Sequence, residues 1–117
     1  MSKKILVIDN DQDILDIISF ILEENGFNIV LSRSANVLND VLQIRPDLIL
    51  LDDWPDRSKG NQLCKNLKES HTTSHIPVII LSTLSDLAQA AADCGADNYI
   101  QKPFDIDYLT EVVTTVL

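Results

Sequence analysis

No apolar run in this sequence approaches the ~18 residues a membrane span needs. The opening "MSKKILVID" is no signal peptide either, because its apolar run, Ile5 to Ile8, stops at an acid. The default compartment is therefore the cytoplasm. Basic excess is also lacking: 9 Lys and Arg stand against 18 Asp and Glu, a formal net charge of −9. Such a surface repels nucleic acid and anionic lipid, so direct nucleic-acid binding and a membrane partner are not expected. Cysteine is limited to Cys64 and Cys94, far apart and not in a CxxC pattern. Each sits beside apolar residues of an expected helix, which points to reduced thiols in or near the core. Aromatics make up 5% of the chain, so the core must be mostly Ile, Leu, Val and Ala. There are no repeats, no linker and no low-complexity segment.

What is present suits one domain. The chain has 117 residues, 45% of them hydrophobic, enough for a real core without metal or disulfide staples. Ile5 to Ile8 reads as a strand buried on both faces. Ile14, Leu15, Ile17, Ile18, Ile21 and Leu22 then fall at helical spacing, and Gly26 stands at a helix C-terminal stop. Phe27 to Leu31 is a second strand. Ser34 caps a helix carrying Val37, Leu38, Val41 and Leu42, and Pro46 ends it. Leu48 to Leu51 is a third strand. Leu63, Cys64 and Leu67 mark the next helix, and Pro77 opens a fourth strand, "VIILS". A short helix from about Asp86 to Cys94 stops at Gly95. "NYIQ" is a fifth strand, and Asp105 starts a last helix with Ile106, Leu109, Val112, Val113 and Val116 inward.

Strands alternating with helices in this way imply right-handed crossovers and a parallel sheet covered on both faces. The fold class is α/β. In open parallel sheets, ligands sit at the carboxyl ends of strands near the switch point of strand order. That rule picks out Asp9, Asn10 and Asp11 after the first strand and Asp52 and Asp53 after the third. It also picks out Ser82 and Thr83 after the fourth strand and Lys102 after the fifth. Each has an ordinary role open to it alone: a helix cap for "DNDQD" and Ser82, a solvated turn for the paired acids, a surface charge for Lys102. Together they share one rim. Carboxylates crowded there raise one another's proton affinity, and a hard divalent cation relieves the repulsion. Oxygen-only ligands favour Mg²⁺ over zinc. A lysine and a hydroxyl supply donors for a phosphoryl group, and a carboxylate can itself be the nucleophile.

Four stretches, "KILVIDND", "RPDLILLD", "IPVIILST" and "GADNYIQKPF", together make the sequence resemble the receiver domain of bacterial two-component response regulators along essentially its whole length. The resemblance implies a flavodoxin-like doubly wound (βα)5 fold with a five-stranded parallel sheet. It implies a single receiver domain over residues 1–117, phosphorylated by a partner histidine kinase or phosphotransfer protein. Carried onto this sequence, it makes Asp52 the phosphoryl acceptor. Asp9, Asn10, Asp52 and the backbone carbonyl of Trp54 become the metal ligands. Lys102 contacts a phosphoryl oxygen, Ser82 offers the switch hydroxyl, and Tyr99 is the aromatic whose rotamer reports the state. The Lys102–Pro103 peptide is expected to be cis. Such a domain is a switch rather than an enzyme, beyond Mg²⁺-assisted self-phosphorylation and dephosphorylation. Its output is expected on the face of the fourth helix, fifth strand and fifth helix, a face that also allows a homodimer.

Four features depart from that pattern. Asn10 replaces an acid. A unit-charge pair at ~4 Å is worth about 4 kcal/mol gross at an effective dielectric of ~20. Easier desolvation of a neutral side chain offsets part of this, so weakened rather than abolished Mg²⁺ binding is expected. Pro55 lies three residues after Asp52 rather than four, while Gly60 keeps the usual spacing, so the loop geometry around Trp54 should be altered. The segment from Ser82 to Gly95 is about two residues short. Asp53 stands where the family has a non-acid and reads as a loop acid. His71 and His75 form H-x3-H without a third ligand at zinc spacing, which favours a polar loop.

The leading expectation is a phosphorylation-driven switch. The alternative is a pseudo-receiver, an interaction module that Asn10 and the altered 52–60 loop leave unphosphorylated. A flavin-type cofactor site is disfavoured because "DNDQD" would repel phosphate. No output domain follows residue 117 in this sequence, so a single-domain relay or the receiver of a longer chain is expected, and "VVTTVL", without a polar tail, favours the longer chain.

Overall fold

The computed structural model describes residues 3–8, 12–32, 37–52, 57–82, 87–102 and 104–117. Strand β1 (Lys4–Ile8) leads into α1 (Gln12–Glu24), β2 (Asn28–Ser32) and α2 (Val37–Ile44). Then come β3 (Leu48–Asp52), α3 (Arg57–Glu69), β4 (Val78–Ser82), α4 (Leu87–Cys94), β5 (Asn98–Gln101) and α5 (Ile106–Val116). The strands form one parallel sheet in the order β2-β1-β3-β4-β5. The chain moves outward from β1 to β2, then crosses to β3 on the other side. The switch point therefore lies between the carboxyl ends of β1 and β3.

Strand alternation divides the core into two layers. Ile5, Val7, Leu48, Leu50, Ile79, Leu81 and Ile100 pack with the inner stripes of α1 and α5. Leu6, Ile8, Ile49, Leu51, Val78 and Ile80 pack on the other face with Val41 of α2 and with α3 and α4. Every residue of β4 is buried, as befits a strand covered by helices on both sides.

Helix ends follow the residue chemistry. Gly26 (φ 88) and Gly95 (φ 81) hold the left-handed conformation that L side chains disfavour. Beyond Gly26, the Phe27 N–H donates to the Leu22 carbonyl at 3.1 Å. Beyond Gly95, the Ala96 N–H donates to the Ala91 carbonyl at 2.9 Å in the same six-residue closure. Arg45 follows α2 at φ 53, the one described non-glycine residue with positive φ, and its own N–H donates to the Val41 carbonyl at 2.9 Å. Asp105 caps α5 by accepting from the Asp107 N–H at 2.9 Å, as its sequence position predicts.

Several sequence expectations need correction. β2 begins at Asn28, not Phe27, because the Phe27 N–H is used in the α1 closure. Ile17 is 54% exposed and Leu42 49% exposed. At 100° per residue Ile17 falls outside the arc set by Leu15, Ile18, Ile21 and Leu22, and Leu42 turns away from Val41 and Ile44. Ile106 is 58% exposed because it opens α5, with no preceding turn to carry it over the sheet. The caps expected from Ser34 and the start of the fourth helix at Asp86 lie outside the described residues.

Candidate functional site

The pairing register arranges the expected site residues as a staircase. Ile8, the last residue of β1, lies beside Leu51, and Leu51 beside Ile80. Asp52 is one step further along β3, opposite Leu81. Ser82 is one step beyond Leu81 and pairs with Gln101. Lys102 follows Gln101, and its backbone N–H donates to the Ser82 carbonyl at 2.8 Å, extending the ladder past the end of β5. Asp52, Ser82 and Lys102 thus stand on the carboxyl edge of three successive strands. Asp52 borders the end of β1, at the switch point.

Neighbouring strands lie about 4.8 Å apart. The step from Asp52 to Ser82 and on to Lys102 is therefore a spacing over which one small oxyanion can be touched by more than one side chain. The Ser82 side chain is fully buried, and Lys102 is partly buried. A buried hydroxyl at a strand end has a fixed place from which to meet a ligand. A partly buried lysine keeps its stem against apolar surface and its ammonium at the rim. Tyr99 lies beside Ile80 in the register and is 37% exposed, so its ring reaches the surface of the α3–α4 side.

Asp9, Asn10, Asp11, Asp53, Trp54, Pro55, Thr83 and Pro103 lie outside the described residues. The sequence places Asp9 directly after Ile8, the residue that pairs with Leu51.

Two acidic residues within the resembling stretches have a role that the sequence did not disclose. Asp47 precedes β3. Its backbone N–H donates to the Lys4 carbonyl at 2.7 Å, and its carboxylate accepts from the Lys4 N–H at 2.8 Å. Asp97 precedes β5 and repeats the pattern on Val78, at 2.9 Å and 2.8 Å. Both clamp the amino end of a strand to its neighbour, at the edge opposite the candidate site. The Asp97 carboxylate also pairs with Lys68 of α3 at 2.9 Å. Their shared place one residue before a strand was the available signal.

The two histidines lie on this opposite edge too. His71 and His75 line a cavity of ≈ 720 Å³ together with Arg45, Asp47 and neighbouring apolar residues. Among the described residues no group of three or more His, Cys, Asp or Glu side chains could hold a metal ion.

The sheet order, with Asp52, Ser82 and Lys102 on its carboxyl edge, defines a doubly wound α/β domain whose switch point lies between β1 and β3. The model of the response regulator receiver domain matches residues 5–114, and the chain belongs to that family. It is 34% identical over 119 residues to the DNA-binding dual master transcriptional regulator RpaA of Synechocystis sp., covering 97% of this chain and 48% of RpaA. It is 33% identical over 120 residues to the phosphate regulon transcriptional regulatory protein PhoB of Escherichia coli, covering 100% of this chain and 52% of PhoB. The chain thus spans about half the length of these curated relatives. Among solved structures, the signal receiver domain of a signal transduction histidine kinase from Syntrophus aciditrophicus superposes with a TM-score of 0.87 at 32% identity. That match covers 99% of this chain and 90% of the other. Receiver domains are signalling domains rather than classical enzymes. No described helix is long and apolar enough to cross a membrane.

Proposed function

We propose that this chain is a phosphoacceptor switch in which Asp52 takes a phosphoryl group from a phosphohistidine on a partner histidine kinase or phosphotransfer protein. The supporting observation is the staircase of Asp52, Ser82 and Lys102 on adjacent strand ends, beside the end of β1. A carboxylate oxygen of Asp52 attacks phosphorus. The phosphorus–nitrogen bond breaks, and its electron pair returns to the imidazole, which leaves neutral after protonation. The product is an acyl phosphate on Asp52. Asp9, Asn10, Asp52 and the Trp54 carbonyl would hold Mg²⁺, which supplies charge neutralisation for the transferring oxygens. Lys102 orients one phosphoryl oxygen by a charge-assisted hydrogen bond. Ser82 favours the conformer in which its hydroxyl meets the phosphoryl group, with Tyr99 turned inward. The phosphoryl group thus shifts a two-state population by its differential contacts.

The output surface in this reading is the α4–β5–α5 face, which contacts a downstream protein or a second copy. Partly exposed Tyr99, Ile106 and Tyr108 lie on β5 and α5 and give that face apolar anchors. The names of RpaA and PhoB place homologous domains in transcriptional regulators, so control of such an output is part of the proposal. Nucleic-acid contact by this domain itself remains disfavoured by its net charge of −9.

Incubation with acetyl phosphate and Mg²⁺ tests the proposal. Wild type gains one phosphoryl mass, and Asp52→Asn gains none. Equal gain by both variants, or none by wild type, overturns it. Asn10 and the shifted Pro55 motivate the pseudo-receiver alternative. That reading is favoured if Mg²⁺ leaves the Trp54 fluorescence unchanged throughout a millimolar titration.

A further inference from the structure

The two cysteines, distant in sequence, meet in the fold. Cys64 lies midway along α3, and Cys94 is the last residue of α4. Both are free and buried, at 0% and 5% exposure, in the core layer between sheet and helices. The Cys64 Sγ sits 3.6 Å from the Cys94 carbonyl oxygen, and the Cys94 Sγ lies 3.6 Å from the Ala91 carbonyl oxygen. The Cys64 thiol therefore packs directly against the residue that carries the second thiol. Nothing in the phosphoryl chemistry at the strand rim uses them.

We propose that Cys64 and Cys94 are a redox modification site, at which a hydroperoxide forms an intramolecular disulfide that staples α4 to α3. The inference is independent of phosphorylation at Asp52. A Cys64 sulfur already 3.6 Å from the Cys94 carbonyl is placed to meet the Cys94 sulfur by side-chain rotation, whereas distant cysteines would require backbone movement.

The pair divides its roles by environment. The neighbouring Cys64 thiol, aided by backbone N–H groups, lowers the Cys94 thiol to about 7 against the opposing effect of burial. The neighbouring Cys94 thiol, together with burial, raises the Cys64 thiol. Cys94, at the end of α4 beside exposed Gly95, is the attacking sulfur, and Cys64, fully buried midway along α3, the resolving one. Access comes from the helix itself. α4 has only eight residues and ends at Cys94, beside exposed Gly95. The end of so short a helix opens at low free energy.

The steps balance. The Cys94 thiolate attacks one peroxide oxygen, and the oxygen–oxygen bond breaks. Water, or an alcohol from an organic hydroperoxide, leaves with the electron pair and a proton, and Cys94 becomes a sulfenic acid. The Cys64 sulfur then attacks the Cys94 Sγ, and the sulfur–oxygen bond breaks. Hydroxide leaves and takes the Cys64 proton as water. Two thiols lose two electrons, and one peroxide is reduced.

The test treats the reduced, purified chain with hydrogen peroxide under native conditions. Free thiols are then alkylated under denaturing conditions without reductant, and the peptides are mapped. The expected result is a monomer lighter by two hydrogens, with a Cys64–Cys94 linked peptide that dithiothreitol releases. The reaction should quicken as pH rises through about 7, where the Cys94 thiolate becomes populated. Amide exchange across Leu87–Cys94 should slow in the oxidised form. Cys94→Ser should abolish the link, and the wild-type measurement stands even if that variant folds poorly. Recovery of both cysteines as alkylated thiols overturns the proposal. So does separate oxidation to sulfinic acids, or a link between two chains.

Discussion

The backbone N–H of Lys102 donates to the Ser82 carbonyl at 2.8 Å, one residue past the end of β5. That bond carries the parallel ladder into the loop and sets Lys102 beside β4 rather than leaving it free to swing away. Two variants separate the roles proposed for the pair. Lys102→Ala should slow phosphoryl gain from acetyl phosphate on the order of a hundredfold, the usual scale for removing one positioned donor to a developing anion. Ser82→Ala should still gain the phosphoryl group but lose the change at Tyr99 that follows it. Time-resolved mass spectrometry reads the first effect, and the aromatic NMR signals of Tyr99 read the second. Equal rates for Lys102→Ala and wild type would remove Lys102 from the site.

Asn10 is the departure with the largest electrostatic consequence. Asn10→Asp restores one negative charge beside a proposed divalent cation. Most of the ~4 kcal/mol gross Coulomb gain is offset by desolvation of the added carboxylate, and a net gain of about 1.4 kcal/mol corresponds to tenfold tighter binding. A Mg²⁺ titration monitored by the single Trp of the chain, Trp54, measures it. Unchanged affinity in Asn10→Asp would mean that position 10 does not face the metal.

The paired clamps at Asp47 and Asp97 predict stability effects without loss of the site. Asp97→Ala removes an acceptor for the Val78 N–H and one of the three partners of the Lys68 ammonium, and should cost about 2 kcal/mol. Asp97→Asn keeps an acceptor oxygen and should cost about half as much, because a partly exposed ion pair contributes about 1 kcal/mol at most. Asp47→Ala, which loses only the Lys4 N–H bond, should cost about 1 kcal/mol. Urea unfolding gives all three. An Asp97→Asn loss as large as that of Asp97→Ala would shift the weight from the backbone bond to the ion pair.

Arg45 occupies a conformation that glycine holds at the ends of α1 and α4. Relief of ~1–2 kcal/mol of left-handed strain in Arg45→Gly is set against ~0.5–1 kcal/mol of added unfolded-state entropy. The net expectation is stabilisation of about 0.5 kcal/mol. Arg45→Val, β-branched at φ 53, should destabilise by more than 1 kcal/mol. Thermal unfolding of the two variants gives opposite signs if strain governs the position.

Much of this molecule was legible before folding was considered. The strands "VIILS" and "NYIQ" appear at their expected residues, as do the glycine stops at Gly26 and Gly95 and the Asp105 cap. These are local matters: apolar runs, backbone permissiveness and side-chain oxygens near free N–H groups act over a few residues. The expected edge positions of Asp52, Ser82 and Lys102 also followed from a local rule, since each ends or follows a strand.

Exposure was less legible. Ile17, Leu42 and Ile106 are as apolar as their buried neighbours, and it is their place around or at the start of the helix that turns them outward. The clamps of Asp47 and Asp97 were hidden because their partners, Lys4 and Val78, lie on adjacent strands distant in sequence.

Local chemistry along the chain settled the strand and helix order, the acidic surface and the residues offered at the strand ends. Strand register and helix packing settled which of them meet: Asp52 beside the end of β1, Lys102 against Ser82, and Cys64 against Cys94. The physical reason is range. A propensity or a cap is a property of a few consecutive residues. A neighbour across a sheet or between two helices exists only once crossovers close and side chains interlock.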